Sequence, residues 1–210
     1  MIRTFVLAAT VVAASTAMAA PFAHVANANW TIDYVNMSTN GGSFYNNTIG
    51  AFDSLAITNA GVLYAADQAG VIWNTTGAPI PAGPTGRTQI GDLDYANGGL
   101  WGFSNATSEL FFFDLALSTV TYSQFIPINP GLTVSGVAHQ TSTGDIYLSA
   151  YNSSFTSFLM MVPFMGVAAN PIGQIVHGDG NSYVSDVDFD ASGTLYALTW
   201  FHRHFYSVST

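Results

Sequence analysis

The chain of 210 residues contains no cysteine, no lysine and a single glutamate, Glu109. Without cysteine there can be no disulfide, no thiol nucleophile and no thiolate-held metal, so stability has to come from packing. Without lysine there can be no phosphate-cradling Gly-x-x-x-x-Gly-Lys loop. The only basic side chains besides histidine are Arg3, Arg87 and Arg203, set against twelve acidic residues, for a formal net charge of −9. Neutralising nucleic-acid phosphates requires clustered Lys and Arg, so nucleic acid is excluded as a partner, and the same acidity opposes adsorption to anionic lipid. Beyond the N-terminus there is no unbroken apolar run of the roughly twenty residues that a membrane-spanning helix needs. A Gly-x-Ser-x-Gly nucleophile elbow is also missing.

The N-terminus reads as an address. Arg3 precedes an apolar stretch from Phe5 to Ala14, and the small-residue series Ala17-Met18-Ala19 follows. This order predicts a secretory leader over residues 1–19, cleaved before Ala20, and a product that is secreted, periplasmic or held at the cell surface. Residues 20–210 are then long enough for one domain with a sizeable core.

The rest of the chain is organised by an internal repeat. An alternating apolar run, a Gly-containing turn and an apolar–aromatic pair recur four times. The runs begin at Leu55, Leu93, Val137 and Val187, and the pairs are Leu63-Tyr64, Leu100-Trp101, Ile146-Tyr147 and Leu195-Tyr196. The aromatic advances by 37, 46 and 49 residues from copy to copy. A strand-built repeat of this length predicts an all-β β-propeller of about four blades, whose units bury their faces only by stacking on their neighbours.

The inner strands are expected at Ser54–Thr58, Asp92–Ala96, Gly136–Gln140 and Asp186–Asp190, each followed by a strand carrying the aromatic. Candidate outer strands are Arg87–Ile90, Thr119–Phe125 and Pro171–Val176. The Pro-rich stretches Ala78–Pro84 and Ile126–Pro130 read as connections, because proline cannot donate to a central ladder. The last copy ends one strand short of a blade, whereas Trp30–Val35 and Ser43–Ile49 are strand-like runs without a repeat of their own. The N-terminal segment is therefore expected to complete the last blade and close the ring, which removes open sheet edges. The four-copy repeat weighs against a β-sandwich of similar strand count.

At Asp186-Val-Asp-Phe-Asp-Ala-Ser-Gly-Thr-Leu-Tyr-Ala197 the chain resembles the blades of secreted bacterial β-propeller repeat proteins of the NHL-like kind. The resemblance implies fold and export. It carries no catalytic residue, since such propellers bind proteins, glycans or ions and a few are enzymes.

Aligning the four inner strands exposes an asymmetry. The residue before the first apolar position is Ser54, Asp92, Gly136 or Asp186, and the one after it is Ala56, Asp94, Ala138 or Asp188. Residues i and i+2 share a strand face, so Asp92 and Asp94 are expected to oppose Asp186 and Asp188 across the axis. Such carboxylates can hold a divalent cation such as Ca²⁺, and equally can accept turn hydrogen bonds in water. His139 lies on an inner strand, and His202-Arg203-His204 is the only histidine cluster. Trp30, Trp73, Trp101 and Trp200, with Tyr34, Tyr45, Tyr122, Tyr151 and Tyr183, are candidates for a sugar- or protein-contacting face. Asn29, Asn74 and Asn105 head glycosylation sequons.

The first functional expectation is an exported, non-enzymatic binding module for an extracellular protein, glycan or ion. The second is a metal-dependent hydrolase or lyase with Asp92, Asp94, Asp186 and Asp188 around a divalent ion and His139 as base.

Overall fold

Each repeat copy turns on a glycine. Gly61, Gly98, Gly144 and Gly193 have φ of 78°, 82°, 82° and 83°, a left-handed conformation that a side chain resists, and each ends the link between an inner strand and the next one out. In the second copy the turn is Asn97-Gly98 with both φ values positive, which suits a two-residue hairpin. The computed structural model describes residues 9–12, 22–26, 31–36, 41–47, 52–76, 80–178, 183–200 and 204–209, with side chains from Phe52 onward apart from Asp53. The expected cleavage point after Ala19, Trp30, the sequon at Asn29, His202 and Arg203 lie outside the described residues, as do the side chains of Tyr34 and Tyr45.

The four copies form four antiparallel blades. The first comprises β5 (Phe52–Ile57), β6 (Leu63–Asp67), β7 (Val71–Asn74) and β8 (Ile80–Pro84). The second comprises β9 (Ile90–Ala96), β10 (Gly99–Ser104), β11 (Glu109–Asp114) and β12 (Thr119–Phe125). The third comprises β13 (Thr133–His139), β14 (Ile146–Tyr151), β15 (Ser157–Val162) and β16 (Asn170–Ile175). The fourth has three strands, β17 (Val184–Phe189), β18 (Leu195–Thr199) and β19 (Phe205–Val208). Along each blade the first strand lies at the axis: β5 packs beside β9, β9 beside β13, and β13 beside β17.

Burial follows this radial order. In β13 all residues after Thr133 are buried, because an inner strand has a neighbouring blade on each face. In the outer strand β12 exposed and partly buried residues alternate strictly, as a half-solvated strand requires. The core is accordingly a set of layers between blades. Ile90, Leu93, Leu100, Phe111 and Phe113 pack with Ala56, Ala66 and Ile72 of the first blade. Phe103 and Leu110 pack with Val134, Val137, Ile146 and Leu148 of the third, while Ala138, Tyr147 and Leu159 meet Val184, Val187 and Leu195 of the fourth.

The N-terminal strands β1 (Ala9–Val12), β2 (Phe22–Ala26), β3 (Thr31–Asn36) and β4 (Gly41–Asn47) fill the place expected of them between the last and first repeat blades. Among the described residues they form a sheet in the order β1-β2-β3-β4, which is consistent with an N-terminal segment that completes a blade. β1, within the segment read as a leader, touches both β17 and β5 and so gives β2 to β4 an inner strand to continue. Within the Pro-rich stretch read as a connection over Ala78–Pro84, Ile80–Pro84 is instead the outer strand β8, Ala78 and Pro79 lie outside the described residues, and Arg87–Ile90 lies almost wholly before β9. An outer strand tolerates Pro81 and Pro84 because one of its edges needs no donors.

Candidate binding site at the axial mouth

No backbone ladder joins the inner strands β5, β9, β13 and β17 to one another, so side chains satisfy backbone groups there. Asp92 Oδ2 accepts from Val137 N at 2.9 Å, and Asp94 Oδ2 accepts from His139 N at 2.6 Å. Both carboxylates thus reach the next inner strand, 45 residues on. At the other end of the same strands Asn105 grips Val134 in both directions, Oδ1 accepting from its N–H at 2.8 Å and Nδ2 donating to its carbonyl at 2.9 Å. Between the third and fourth blades Ser135 Oγ donates to Val184 O at 2.7 Å, and Ser157 Oγ accepts from Val184 N at 2.8 Å. Gly136 needs its missing side chain, since a Cβ there would stand 2.7 Å from Val187 N and 2.5 Å from Ser149 Oγ.

The four aspartates singled out from the sequence do come together. Asp92 and Asp186 are 2 % and 5 % exposed, and their carboxyl groups are close enough to act on one another's protonation. Burial lifts both well above the usual carboxylate range, and for Asp186 the charge of Asp92 adds to it. Asp92 Oδ1 receives no N–H or O–H donor from the described residues, and neither does the buried Ser54 Oγ at the matching position of the first blade. Nearer the surface, burial pushes Asp94 up to about 7. Asp188 lies well above its ordinary value through burial and then through the charge of Asp94.

Above Asp94 and Asp188 the strand ends open into a cavity of about 530 Å³. All four repeat blades contribute: Ile57 to Asn59 from the first, Asp94 and Tyr95 from the second, His139 to Ser142 from the third, and Asp188 to Gly193 from the fourth. These are the C-terminal ends of the inner strands and the turns that follow them. His139 is 7 % exposed, burial holds it below its ordinary value, and its Nδ1 has no hydrogen-bond partner among the described residues. Its ring stacks on Trp101 at 6.4 Å with planes 6° apart. Asp190 on the rim behaves differently: against a small burial penalty, the Ser192 hydroxyl and the N–H groups of Thr194, Ser192 and Gly193 hold it below the usual range. The mouth can therefore offer neutral carboxyl donors and, on the rim, one firmly ionised carboxylate.

Other candidates are placed elsewhere. Trp73 Nε1 donates to Asp67 Oδ2 at 2.8 Å, and Trp101 packs among Phe112, Tyr122 and His139. His204 is bonded to Tyr206 Oη at 3.2 Å, and His177 also meets Tyr206, far from His139 along the blades. Among the described residues no group of three His, Cys, Asp or Glu side chains has the geometry to hold a metal ion. Arg87 is engaged by Glu109 at 3.2 Å, by the Thr85 carbonyl and by the Phe111 ring. Sequence reasoning placed His139 on an inner strand but did not place it at the mouth. The alignment of the four copies held that signal, because His139 ends its strand as Phe189 and Ile57 end theirs.

No protein-family model matches the chain, and no curated protein matches it in sequence. Solved structures share its fold. A chain of the hydrazine synthase of Kuenenia stuttgartiensis aligns at a TM-score of 0.56 and 10 % identity over 89 % of this chain. A chain of a nidogen/laminin complex aligns at 0.61 and 12 % over 85 %, and one of a mitotic checkpoint complex at 0.54 and 11 % over 90 %. The chain spans 58 %, 68 % and 71 % of those three chains. At such identities the likeness supports the β-propeller fold and nothing finer. Among the described residues no helix is long and apolar enough to cross a membrane.

Proposed function

We infer that the protein is an exported, NHL-like β-propeller binding module of the cell surface or extracellular space, and that its ligand sits in the axial mouth above Asp94 and Asp188. The observation that carries this reading is the 530 Å³ cavity built by inner-strand ends of all four repeat blades, with Asp94, His139, Asp188 and Asp190 among its lining residues. Export rests on Arg3, the apolar stretch and Ala17-Met18-Ala19. The same reading names an extracellular protein or glycan as partner.

A divalent cation such as Ca²⁺ is the second ligand class. It is favoured by the four gathered aspartates, whose raised protonation reflects burial and charges with nothing positive beside them. A bound cation would replace those protons, and with His139 as base the same arrangement would serve a metal-dependent hydrolase or lyase.

Thermal-shift titration of the full chain and of Asp94→Asn against neutral glycans and calcium separates these readings. A glycan that raises Tm in the wild type but not in the variant supports the mouth as a binding site. A calcium shift that grows as pH rises through 7 supports the cation. If every ligand that shifts the wild type shifts Asp94→Asn equally, the mouth is not the site.

A further inference from the structure

The fourth repeat blade differs from the other three at its outer edge. β8, β12 and β16 each close a blade as its fourth strand, whereas among the described residues the last blade stops at its third, β19. Which groups of β19 face outward follows from its pairing. Thr199 N donates to His204 O at 3.0 Å, and the register continues from Leu198 with Phe205 to Leu195 with Val208. Opposed residues of an antiparallel pair are hydrogen-bonded at every second position, so Tyr206 and Val208 bond β18. Phe205 and Ser207 therefore turn their N–H and carbonyl groups away from the sheet, and Ser207 is exposed. Unpaired edges are commonly shielded by proline or charge. Two of the other outer strands carry proline, Pro81 and Pro84 in β8 and Pro171 in β16, while β19 has neither proline nor a charged residue.

Beside this edge lies a cleft of about 240 Å³ between the third and fourth blades. It continues the apolar layer that joins them, since buried Leu159, Val184 and Ala197 belong to both. Ile172 and Val176, 43 % and 83 % exposed, extend the apolar lining to the surface. No Asp, Glu, Lys or Arg lines the cleft, and no residue lines both it and the axial mouth.

We propose that an extended segment of another protein adds to β19 as the fourth strand of this blade and sets alternate apolar side chains into the cleft. In this mode main-chain hydrogen bonds supply affinity and the pockets for alternate side chains supply selectivity. Charge fixes the chemistry of the occupant. A cleft and an edge that both lack ionic side chains accept an uncharged segment, because a charge buried there would find no partner. The formal net charge of −9 opposes a second copy of the chain and favours a partner that is neutral or basic around the bound segment.

The second blade supplies a probe. β12 closes β11 with seven uncharged residues, Thr119–Phe125, that alternate between exposed and partly buried. A capped synthetic peptide of that sequence is titrated into the isotope-labelled full chain and followed by NMR. Ser207→Pro removes an N–H that the ladder with β18 does not use, and Val176→Asp puts a charge at the exposed side of the cleft and leaves β19 as it is. The wild type is expected to bind the peptide in the millimolar range or tighter, with amide exchange of Phe205 and Ser207 slowed about tenfold or more at saturation. Each variant should weaken binding about tenfold or more. Where Ser207→Pro lowers Tm, Val176→Asp alone carries the comparison. Absence of binding by the wild type overturns the proposal, and so does binding that Val176→Asp or a folded Ser207→Pro retains undiminished. A dimer in sedimentation that Ser207→Pro abolishes would assign the edge to a second copy and overturns it as well.

Discussion

At the residue scale the molecule uses aspartate in two ways. Asp190 is ionised and bonded by its own turn, as an aspartate at a surface turn should be, whereas Asp94 is kept close to half-protonated at neutral pH by burial. A carboxyl whose folded pKa is raised makes the fold more stable while protonated, and that contribution is lost as pH climbs through the folded value. His139, held low, acts oppositely, but only below its ordinary value of 6.5. Asp94 therefore gives up its contribution between its ordinary value of 3.8 and about 7, opposed by His139 below 6.5. Tm should accordingly fall as pH approaches 7 and go on falling above it only through Asp92, Asp186 and Asp188, whose folded values are also raised. Asp94→Asn keeps an oxygen that can accept from His139 N and cannot ionise, so scanning calorimetry should find its Tm higher than wild type at alkaline pH and its pH profile flatter. The acidic pairs themselves were legible in the sequence because Asp92-x-Asp94 and Asp186-x-Asp188 occupy matching places in two copies. Their use as acceptors for the N–H groups of the next strand was not, since it depends on how far apart adjacent blades stand.

At the scale of elements, what joins blade to blade is a small number of polar contacts around apolar layers. Asn105→Ala would leave the N–H and carbonyl of buried Val134 without their side-chain partner, and chemical denaturation should show a loss of about 2–4 kcal/mol. The same bonds occupy the amide of the sequon at Asn105, so mass spectrometry of folded protein made in a glycosylating host should find that site unmodified. Gly136→Ala is expected to be worse than an ordinary helix or strand substitution, costing more than about 2 kcal/mol, because backbone rather than a movable side-chain tip stands within 2.7 Å of the new Cβ. The repeat phrase gave away the inner and second strands, whose aromatic residues fall at Tyr64, Trp101, Tyr147 and Tyr196. The outer strand β8 was hidden by its prolines, which mark connections and edge strands alike. The Tyr151–Tyr183–Trp200–Phe155 stack could not be read either, because stacking joins residues of two blades and Phe155 belongs to no repeated position.

At the scale of the whole molecule, the inner strands β5, β9, β13 and β17, with β1 between the last and the first, surround one axis. That circle makes a carboxyl cluster out of aspartates about ninety residues apart and gives the molecule two distinct ends, a polar mouth and an end where Tyr151, Phe155, Tyr183 and Trp200 stack on one another. β1 lies in the segment read as a leader, so cleavage would remove it from the circle. Intact-mass analysis of exported protein should give a chain beginning at Ala20, and β2, which already touches β5, would then be the strand nearest the axis in its sheet.

The central claim is that Asp92, Asp94, Asp186 and Asp188 meet at the axis and are denied their ordinary ionisation there. Carbon-detected NMR titration of the aspartate carboxyls in the full chain tests it most directly. Asp94 should titrate near 7 and Asp92, Asp186 and Asp188 well above the usual carboxylate range, while Asp190 should titrate below it. Titration of all four inner-strand aspartates at ordinary carboxylate values, as separate solvent-exposed groups, would contradict it.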